Sequence, residues 1–381
     1  MSFPNISFRT ITDTDELAYA CERWRHSRAV AVDTEFARER TFYAALGLVQ
    51  ISDGEDHVLI DPLAIEDLTP LADLLTDPGI VKVFHSCGED LEVFHHHLGV
   101  VPTPMVDTQI AAALSGIGWS MGYGRLVEAV CGIDLPKGQT RSNWLKRPLT
   151  EAQQRYAALD VVYLLPCYEH VMEELTGLGR LDWLREECER LTAPERFRID
   201  DEAAFRKLAR GKRLRKHQLV VLREIFMWRE RSARERNLPR SFVLKDAAMH
   251  GIALRRPENF EDLRRLRELD HATLRRHGKT LLRLVAEARA RPVSEQPEPT
   301  PPPLDLRPHK ELLQSIRSRV AEVAEEYGLP VEALGNKRSQ ETTLRRYLEG
   351  ETPILPKALR GWRETVVGEP ILDLLRRRLG V

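Results

Sequence analysis

The first 175 residues of the chain alternate between segments with strand patterns and segments with helix patterns. Helical patterns occur at 67–75 and 89–97, and Gly99 marks the end of the second. A longer helix is predicted from about Thr150 to Glu174, with a bend at Pro166. Short apolar runs bounded by turn residues predict strands at 28–36, 44–52, 56–61 and 81–85. This alternation predicts an α/β domain.

After about residue 200 the strand patterns disappear and helical spacing continues to the end of the chain. Apolar residues recur at helical intervals along 216–231, at Leu219, Leu222, Ile225 and Phe226. A proline-rich stretch then predicts an extended linker between two helical blocks. The predicted parts are therefore an α/β domain at 1–200, a helical domain at 201–291, a linker at 292–308 and a second helical domain at 309–381.

The two helical blocks share a short motif that indicates an internal repeat. The segments RNLPRSFVLKD (236–246) and YGLPVEALGNK (327–337) each follow a helix rich in Arg and Glu. Each contains a leucine–proline pair and an apolar residue five positions after that leucine, Val243 in the first and Leu334 in the second. The offset between the two motifs is 91 residues.

Charge divides the chain in a way that its formal net charge of -1 hides. Residues 1–200 carry 18 Lys/Arg against 32 Asp/Glu, a net charge of -14. Residues 201–291 carry 25 against 12, a net charge of +13, and residues 292–381 carry 14 of each. An acidic block suits metal binding and a basic block suits a polyanion, although solvated helical charge is the alternative for the basic block.

The cysteines and the apolar content of the chain favour a cytoplasmic protein without a membrane span. None of the five cysteines has C-x-x-C spacing, so we expect reduced thiols and neither a disulfide framework nor a zinc site. The first residues lack the pattern of a signal peptide, and no run of about 20 apolar residues occurs. A hydrophobic content of 42% is sufficient for buried cores.

The segment AVAVDTEF (29–36) has the pattern of a buried strand that ends in two acids. Because side chains alternate across a strand, Asp33 and Glu35 share one face with Ala31, and the opposite face can form core. Two like charges this close are unfavourable unless a cation lies between them, and oxygen ligands of this kind suit Mg²⁺ or Mn²⁺. Taken alone, D-x-E is a weak signal, because a strand end that reaches water has the same pattern.

Two further acids support a metal site. In YAALD, Tyr156 and Asp160 are four residues apart, so a helix places both side chains on one face. Asp160 lies among apolar residues, where an acid is rarely buried unless it is paired or metal-bound. Asp90, in HSCGEDLEVF, falls near the start of a helix that follows a strand. Taken alone, Asp90 would be explained by the helix dipole.

In combination, these motifs resemble the DEDD family of 3′–5′ exonucleases, which has D-x-E on a strand, an Asp after a strand–helix turn and Y-x3-D on a late helix. The tyrosine form of the last motif resembles the subgroup that contains ribonuclease D and the proofreading domain of DNA polymerase I. The sister subgroup has a histidine one position before this tyrosine, where this sequence has Arg155. The resemblance to the ribonuclease D family is closer and covers roughly residues 25–185, including VKVFHSCGEDLEVF and QTRSNWLKRPLTEAQQRYAALDVVYLLP. Asn143 departs from the Asp that is usual in that family.

The resemblance implies a fold and a mechanism. The expected fold is an α/β ribonuclease H-like exonuclease domain, with a mixed sheet and flanking helices, followed by two small all-α HRDC-type domains. The implied ligands of two divalent ions, Mg²⁺ or Mn²⁺, are Asp33, Glu35, Asp90 and Asp160, with Asp33 as the bridging ligand. Tyr156 is implied to orient the attacking water, because its ordinary pKa near 10 makes it a poor base at pH 7. The product would be a nucleoside 5′-monophosphate.

Several other residues are candidates for substrate binding, each with a structural alternative. The candidates are His85, Lys137, Arg141, Lys146, Lys212, Arg213, Arg215 and Lys216. A structural role for His85 fits its position at a strand end equally well. The triplet at 95–97 cannot bind one ion with all three histidines, because consecutive helical residues diverge by about 100°. Asp107 is expected to cap a helix, and the glycine-rich segment 116–124 is expected to form a loop on the substrate side.

The expected partner is RNA, most specifically precursor tRNA, and the expected state is a cytoplasmic monomer with no membrane association and no obligate protein partner. A DNA exonuclease of repair or proofreading is an alternative, although no G-x-x-x-x-G-K-[ST] motif accompanies the domain. An adaptor that binds nucleic acid without cleaving it is a second alternative. The presence of all four acids and the tyrosine argues against that loss of activity.

Overall fold

The computed structural model describes residues 6–136, 142–210, 214–299 and 303–379. The described residues form two compact units that are not contiguous in sequence. The first unit takes its residues from 1–37, 46–197 and 304–381. The second unit takes its residues from 38–45 and 198–303.

The first unit is built around a six-stranded sheet in the order β1-β4-β3-β2-β5-β6. The strands are β1 Arg9–Ile11, β2 Ala29–Ala37, β3 Ala45–Ser52, β4 His57–Ile60, β5 Val81–Phe84 and β6 Met105–Asp107. Strands β1 and β4 pair in parallel, as do β2 with β5 and β5 with β6, whereas β3 and β4 are antiparallel. The predicted strands and the mixed sheet are therefore confirmed. Beyond β6 the described ranges contain no strand.

Nine helices precede residue 200 within the described ranges of the chain. They are α1 Thr14–Trp24, α2 Thr69–Thr76, α3 Gly88–Leu98, α4 Thr108–Ser115, α5 Tyr123–Cys131, α6 Glu151–Val162, α7 Leu164–Gly177, α8 Leu181–Thr192 and α9 Pro194–Phe197. Gly99 ends α3 with a φ of 72°, a conformation that glycine adopts without strain. Two apolar clusters join α6 and α7 to the sheet, one of them around Ala31 and Val83 and the other around Leu48 and Leu59.

The prediction of a single helix bent at Pro166 is wrong, because α6 ends and α7 begins before that residue. The two helices meet at Tyr163, whose φ of -100° and ψ of 4° leave the helical range. Pro166 lies in the first turn of α7, where a backbone N–H has no helical partner and its absence costs nothing. In a continuous helix the ring of Pro166 would clash with the carbonyl of Val162. The break therefore precedes the proline.

The second unit is helical. Its helices are α10 Asp201–Ala209, α11 Lys216–Glu235, α12 Arg240–Val243, α13 Asp246–Arg255, α14 Phe260–Arg264 and α15 His271–Ala290. Leu222, Ile225 and Phe226 of α11 are buried in its core, which confirms the helical period read from the sequence. The segment 38–45 belongs to this unit, since the side-chain oxygen of Asn237 accepts hydrogen bonds from the N–H groups of Phe42 and Tyr43 at 3.0 Å each.

The C-terminal helices belong to the first unit. They are α16 Lys310–Tyr327, α17 Val331–Leu334, α18 Lys337–Glu349 and α19 Glu369–Leu379. The rings of Trp183 on α8 and Trp362 are stacked, with centroids 4.4 Å apart and planes at 10°. The Trp362 backbone N–H donates to Glu186 at 2.8 Å, and its indole N–H donates to Glu187 at 2.9 Å. These contacts bind the C-terminal block to the exonuclease part of the unit.

The motif that indicated a repeat occurs in equivalent local structures. Pro239 precedes the four-residue helix α12, and Pro330 precedes the four-residue helix α17. Val243 and Leu334 end these two helices and are both buried. The next helix starts at Asp246 in one block and at Lys337 in the other, so the offset of 91 residues extends to the element boundaries. None of the described helices has the combination of length and apolar character that a membrane span requires.

Candidate active site

Asp33 and Glu35 lie near the end of β2, on the face of the sheet that packs against α6 and α7. Ala31 lies two residues before Asp33 and is buried in a cluster with Val161 and Leu164. Since side chains alternate across a strand, Asp33 and Glu35 follow Ala31 toward the same helices. This is the arrangement that the D-x-E pattern predicts.

Asp90 lies in the first turn of α3 and is buried. Its carboxylate accepts a hydrogen bond from the hydroxyl of Thr34, the residue between the two acids of β2. The turn that leads into α3 is fixed by Asp107, which accepts from the N–H groups of Ser86 at 3.0 Å and Cys87 at 2.9 Å. Asp107 also caps α4, as the sequence predicts. This one buried carboxylate therefore holds the turn that places Asp90.

Tyr156 and Asp160 lie one turn apart on α6. The helix begins with a capping box, in which the Thr150 hydroxyl accepts from the N–H of Gln153 at 3.3 Å and Gln153 accepts from the N–H of Thr150 at 3.1 Å. The two alanines between Tyr156 and Asp160 are buried against β3 and β4. This packing turns the face with the tyrosine and the acid toward the sheet that carries Asp33.

The four carboxyl groups influence one another electrostatically. Burial raises the pKa of Asp33 well above its ordinary value, and the charges of Asp90, Asp160 and Glu35 raise it further. Burial, followed by the charges of Asp160 and Asp90, raises the pKa of Glu35 to about 9. Burial also raises the pKa of Asp160 to about 8 and that of Asp90 to about 6. The ionised forms are therefore costly unless positive charge joins them.

The chemistry of these side chains fits divalent cations. Four mutually repelling carboxylates give hard oxygen donors, which suit Mg²⁺ or Mn²⁺, and a cation among them would favour their ionised forms. Across the part of the chain that the structure describes, no three His, Cys, Asp or Glu side chains already have the arrangement of a metal site. The fit consequently rests on the donor set and on its electrostatics.

Tyr156 retains its proton throughout the neutral range. Burial raises the pKa of its hydroxyl above the ordinary value of 10.0, and the charges of Asp160, Glu35 and Asp33 add to that effect. The hydroxyl is therefore a hydrogen-bond donor and acceptor and not a base at pH 7. Its ring lies near that of Trp144, with centroids 6.2 Å apart.

His85, a candidate for substrate binding, contacts protein atoms through both ring nitrogens. Nδ1 lies 2.9 Å from the Thr108 hydroxyl, and Nε2 lies 2.9 Å from the carbonyl oxygen of Met121. Burial lowers the pKa of His85, which favours the neutral ring. A neutral ring with its proton on Nε2 donates to Met121, whereas the Thr108 hydroxyl donates to the carbonyl of Phe84 at 2.9 Å. These contacts give His85 a structural role at the end of β5.

The candidate cations have different surroundings. Lys137, Arg141, Lys212 and Arg213 lie outside the described residues. The side chains of Lys146 and Arg215 are exposed. Lys216 forms an ion pair with Glu298, so its charge is partly balanced within the second unit.

Two other features from the sequence have structural explanations. His95, His96 and His97 are exposed at the end of α3. Asn143 accepts from the N–H of Leu145 at 3.1 Å, a bond that an Asp would also accept.

Sequence reasoning missed one residue that contacts the catalytic helix. Tyr123 starts α5, and its hydroxyl hydrogen bonds to the backbone of Leu159 and Tyr163, on either side of the break between α6 and α7. Tyr123 lies within the glycine-rich segment that was expected to form a loop. No local pattern marks it, because its partners are 36 and 40 residues away in the sequence.

Comparison with known proteins agrees with this fold and site. A family model described as a 3′–5′ exonuclease matches residues 8–176, and a model described as an HRDC domain matches residues 218–285. Ribonuclease D of Pseudomonas paraeruginosa is 44% identical, with 96% of each chain covered. Ribonuclease D of Escherichia coli is 38% identical over 97% of this chain and 99% of its own. The crystal structure of Escherichia coli RNase D, an exoribonuclease involved in structured RNA processing, matches with a TM-score of 0.90 and covers 98% of this chain and 99% of its own.

The mixed sheet and the matching family model define a 3′–5′ exonuclease, to which an HRDC domain is joined. The chain belongs to the ribonuclease D family of exoribonucleases. The resemblance read from the sequence is thereby confirmed, as is the choice of a nuclease over an inactive adaptor. The family uses divalent metal ions.

Proposed function

We propose that this enzyme removes nucleotides from the 3′ ends of structured RNA and that precursor tRNA is its principal substrate. The observation that carries the proposal is the set of four carboxyl groups whose pKa values are raised by burial and, for Asp33 and Glu35, also by the other acids of the set, with Tyr156 beside them. The name of the Escherichia coli relative, an exoribonuclease involved in structured RNA processing, supports the substrate class. We further propose that the protein is a cytoplasmic monomer, and the five free thiols are consistent with the reducing cytoplasm.

Asp33, Glu35, Asp90 and Asp160 are the proposed ligands of two divalent ions, Mg²⁺ or Mn²⁺, and Asp33 is the proposed bridge. Ions bound in this way lower the pKa of a coordinated water and stabilise charge on a leaving oxygen. The work of the protein is to keep the four carboxylates together in a half-buried site. Thr34 and Asp107 hold Asp90, and α6 holds Asp160.

Tyr156 orients the attacking water. Its hydroxyl stays protonated, so it donates a hydrogen bond to the water and does not remove a proton from it. The water oxygen attacks the terminal phosphorus and releases a proton to solvent, the bond from phosphorus to the 3′ oxygen of the preceding nucleotide breaks, and that oxygen takes up a proton from solvent. The products are a nucleoside 5′-monophosphate and an RNA shorter by one nucleotide.

The basic residues of 201–291 are the proposed binding surface for the body of the RNA. The catalytic part of the chain carries a net charge of -14, which repels a polyanion, whereas this block carries +13. Its exposed cations that form no ion pair with any described residue include Arg264, Arg267, Arg275, Arg276 and Lys279. Three of these lie on α15, where they can neutralise phosphates and release counterions.

The residues 309–381 are proposed to be a second HRDC-type module. Support comes from the offset of 91 residues that relates α12 and α13 to α17 and α18. Residues 292–381, which are this block and the linker, carry no net charge. Within the first unit, Trp362 of the block stacks on Trp183, and Arg363 donates to Glu187. Its proposed role is therefore to support the exonuclease domain, and RNA binding is assigned to the basic block alone.

A nuclease assay with matched substrates tests the proposed activity. The full chain is incubated with Mg²⁺ or Mn²⁺ and a 3′-extended tRNA, a single-stranded RNA or a single-stranded DNA of equal length. We expect stepwise shortening from the 3′ end, release of nucleoside 5′-monophosphates and fastest turnover of the tRNA. Faster cleavage of the DNA would favour a repair nuclease, and absence of cleavage with either ion would favour a binding adaptor.

Paired charge reversals on α15 test the RNA-binding surface. Arg275→Glu combined with Lys279→Glu removes two exposed cations, whereas Arg283→Glu combined with Arg289→Glu removes two that already pair with Glu287 and Glu258. We expect the first variant to weaken tRNA binding at least tenfold and to reduce the slope of log K against log salt by about 2, since each phosphate contact contributes about 0.9. Equal effects of the two variants would mean that α15 affects tRNA binding only through its net charge and not through contacts of Arg275 and Lys279 with phosphates. Cleavage of a short oligonucleotide should be unchanged in both.

A further inference from the structure

The hydroxyl of Tyr123 occupies the break between α6 and α7. It donates a hydrogen bond to the carbonyl oxygen of Leu159 at 3.1 Å and accepts one from the N–H of Tyr163 at 3.2 Å. In a continuous helix this N–H and this carbonyl would bond directly, because they are four residues apart. The Tyr123 side chain thus replaces one bond of the helical ladder with two bonds through its own oxygen. Insertion of a side chain into the ladder is a recognised cause of a helix kink.

The inserted hydroxyl lies next to an acid of the active site in the sequence. The carbonyl of Leu159 belongs to the peptide unit that joins Leu159 to Asp160. A hydrogen bond to this carbonyl therefore acts on the backbone from which the Asp160 carboxylate extends. If the hydroxyl were absent, the N–H of Tyr163 could return to the carbonyl of Leu159 or keep only the carbonyl of Val161, which it also contacts. Either change alters the last turn of α6, which carries Asp160.

The ring of Tyr123 packs between the sheet and the two helices that meet at the break, since its apolar cluster also contains Val161 of α6 and Leu164 of α7. Its ring packs against the cluster that contains Ala31 of β2 and Val83 of β5. The ring of His85 lies 5.7 Å away, centroid to centroid. Two residues before Tyr123, the carbonyl of Met121 accepts from His85 and from the side chain of Gln109, each at 2.9 Å. Tyr123 therefore links the strand that carries Asp33 to the helix that carries Asp160.

We propose that Tyr123 is a positioning residue for Asp160, which fixes the last turn of α6 relative to β2 so that the carboxylates of Asp33 and Asp160 face each other at a constant separation. The inference rests on the proposed function of the four acids. Two metal ligands on separate elements must keep their geometry through each turnover, and a misplacement of about 1 Å in an active site can lower the rate on the order of 100-fold. Tyr123 itself contacts neither substrate nor ion in this role.

The test compares Tyr123→Phe with Tyr168→Phe in the full chain. Both changes remove one hydroxyl, and Tyr168 packs against the same apolar cluster, but among the described residues its hydroxyl forms no hydrogen bond with Leu159 or Tyr163. For each variant kcat, KM for a short single-stranded RNA and the half-saturating concentration of Mn²⁺ are measured well below the unfolding temperature of the less stable protein. Asp160→Asn serves as the reference for loss of a ligand.

For Tyr123→Phe we expect kcat to fall roughly 10- to 100-fold, KM to stay within about twofold and the half-saturating Mn²⁺ concentration to rise. Tyr168→Phe should match the unsubstituted enzyme in all three. Normal kcat and normal Mn²⁺ dependence in Tyr123→Phe, with Asp160→Asn inactive, would overturn the role of Tyr123 and leave the proposed function intact. An unsubstituted enzyme without nuclease activity, or an active Asp160→Asn, would instead refute the proposed function. Exchange of the Tyr163 amide proton provides a second readout, and it should be faster in Tyr123→Phe.

Discussion

The hydroxyl of Thr34 donates a hydrogen bond to the carboxylate of Asp90. Thr34 lies between Asp33 and Glu35 on β2, and its side chain points to the opposite face of the sheet and is buried. The bond therefore joins the strand that carries two of the proposed ligands to the helix that carries a third. It also opposes the effect of burial on Asp90, because a hydrogen bond to the ionised form lowers the pKa.

We expect Thr34→Val to lower kcat by about tenfold and to lower the free energy of unfolding modestly. The substitution keeps the shape of the side chain and removes one hydrogen bond to a charged group, which contributes roughly 1.5 kcal/mol or more. Steady-state kinetics on a short RNA measure the effect. Thr34→Ser is the matched control, because it keeps the hydroxyl and should retain most of the activity. Equal rates in Thr34→Val and the unsubstituted enzyme would show that Asp90 does not depend on Thr34.

Much of the fold and of the site could be predicted from local sequence patterns. The alternation in AVAVDTEF located β2 and the face of Asp33 and Glu35, and the four-residue spacing of Tyr156 and Asp160 located their helix. These predictions succeed because a strand and a helix each fix the direction of side chains by period alone. The orientation of the Asp90 side chain could not be predicted from local sequence, since it depends on a hydrogen bond from Thr34, 56 residues earlier.

Other features depended on contacts that no local pattern encodes. A bend in one long helix was predicted at Pro166, yet the missing N–H of a proline is tolerated in a first turn, and the structure instead has a helix break at Tyr163. The contact of the Tyr123 hydroxyl with the helix break could not be predicted, because Tyr123 lies on another helix. The packing of the C-terminal block against the exonuclease part of the first unit could not be predicted either, because it depends on the stacking of Trp183 and Trp362, which are far apart in the sequence.

Tyr156→Phe should slow the reaction and leave metal binding unchanged. The raised pKa keeps the Tyr156 hydroxyl protonated, so the change removes the proposed hydrogen-bond donor to the attacking water and no charge. We expect kcat to fall roughly 10- to 100-fold, as for loss of a group that orients a reactant. The half-saturating Mn²⁺ concentration, measured in the same assay, should stay within about twofold. A loss of Mn²⁺ affinity as large as the loss of rate would place Tyr156 among the ligands.

Lys82 should make stability depend on pH in the alkaline range. This lysine is buried on β5, and its ammonium donates to the carbonyls of Asp77 and Ile80 at 2.7 Å and of Thr103 at 2.9 Å. Burial lowers its pKa from 10.5 to about 8. The unfolded chain therefore binds one more proton than the folded chain between about pH 8 and 10.5, and the contribution of Lys82 to stability rises with pH across that window.

The comparison with Lys82→Met isolates this contribution from other titrations. The free energy of unfolding is measured for the unsubstituted protein and for the variant by urea denaturation at several pH values across that window. The value for the unsubstituted protein minus the value for the variant should rise by at most about 3 kcal/mol, which is the equivalent of the shift in pKa. A difference that stays flat or falls with pH would mean that the three carbonyls fully compensate the burial of the charge.

Trp362→Ala should destabilise the first unit. The Trp362 side chain is 7% exposed, stacks on Trp183 and donates its indole N–H to Glu187. Removal of a buried tryptophan costs about 3–5 kcal/mol, which corresponds to a fall of roughly 5–10 °C in the unfolding midpoint. Trp119→Ala is the control, since Trp119 is 48% exposed and its loss should shift the midpoint little. Equal midpoints for the two variants would indicate that residues 304–379 contribute no stability to the exonuclease domain.

The central claim is that Asp33 and Asp160 hold the metal ions that the nuclease reaction requires. Asp33→Asn and Asp160→Asn keep the size of each side chain and remove its charge, so the fold should be unchanged by circular dichroism. The decisive measurement is the rate of nucleoside 5′-monophosphate release from a 3′-extended tRNA, taken with a Mn²⁺ binding isotherm on the same protein samples. The account predicts that both variants lose measurable release and bind Mn²⁺ at least tenfold more weakly, as expected when a charged ligand is lost. Near-normal release by either folded variant would contradict it.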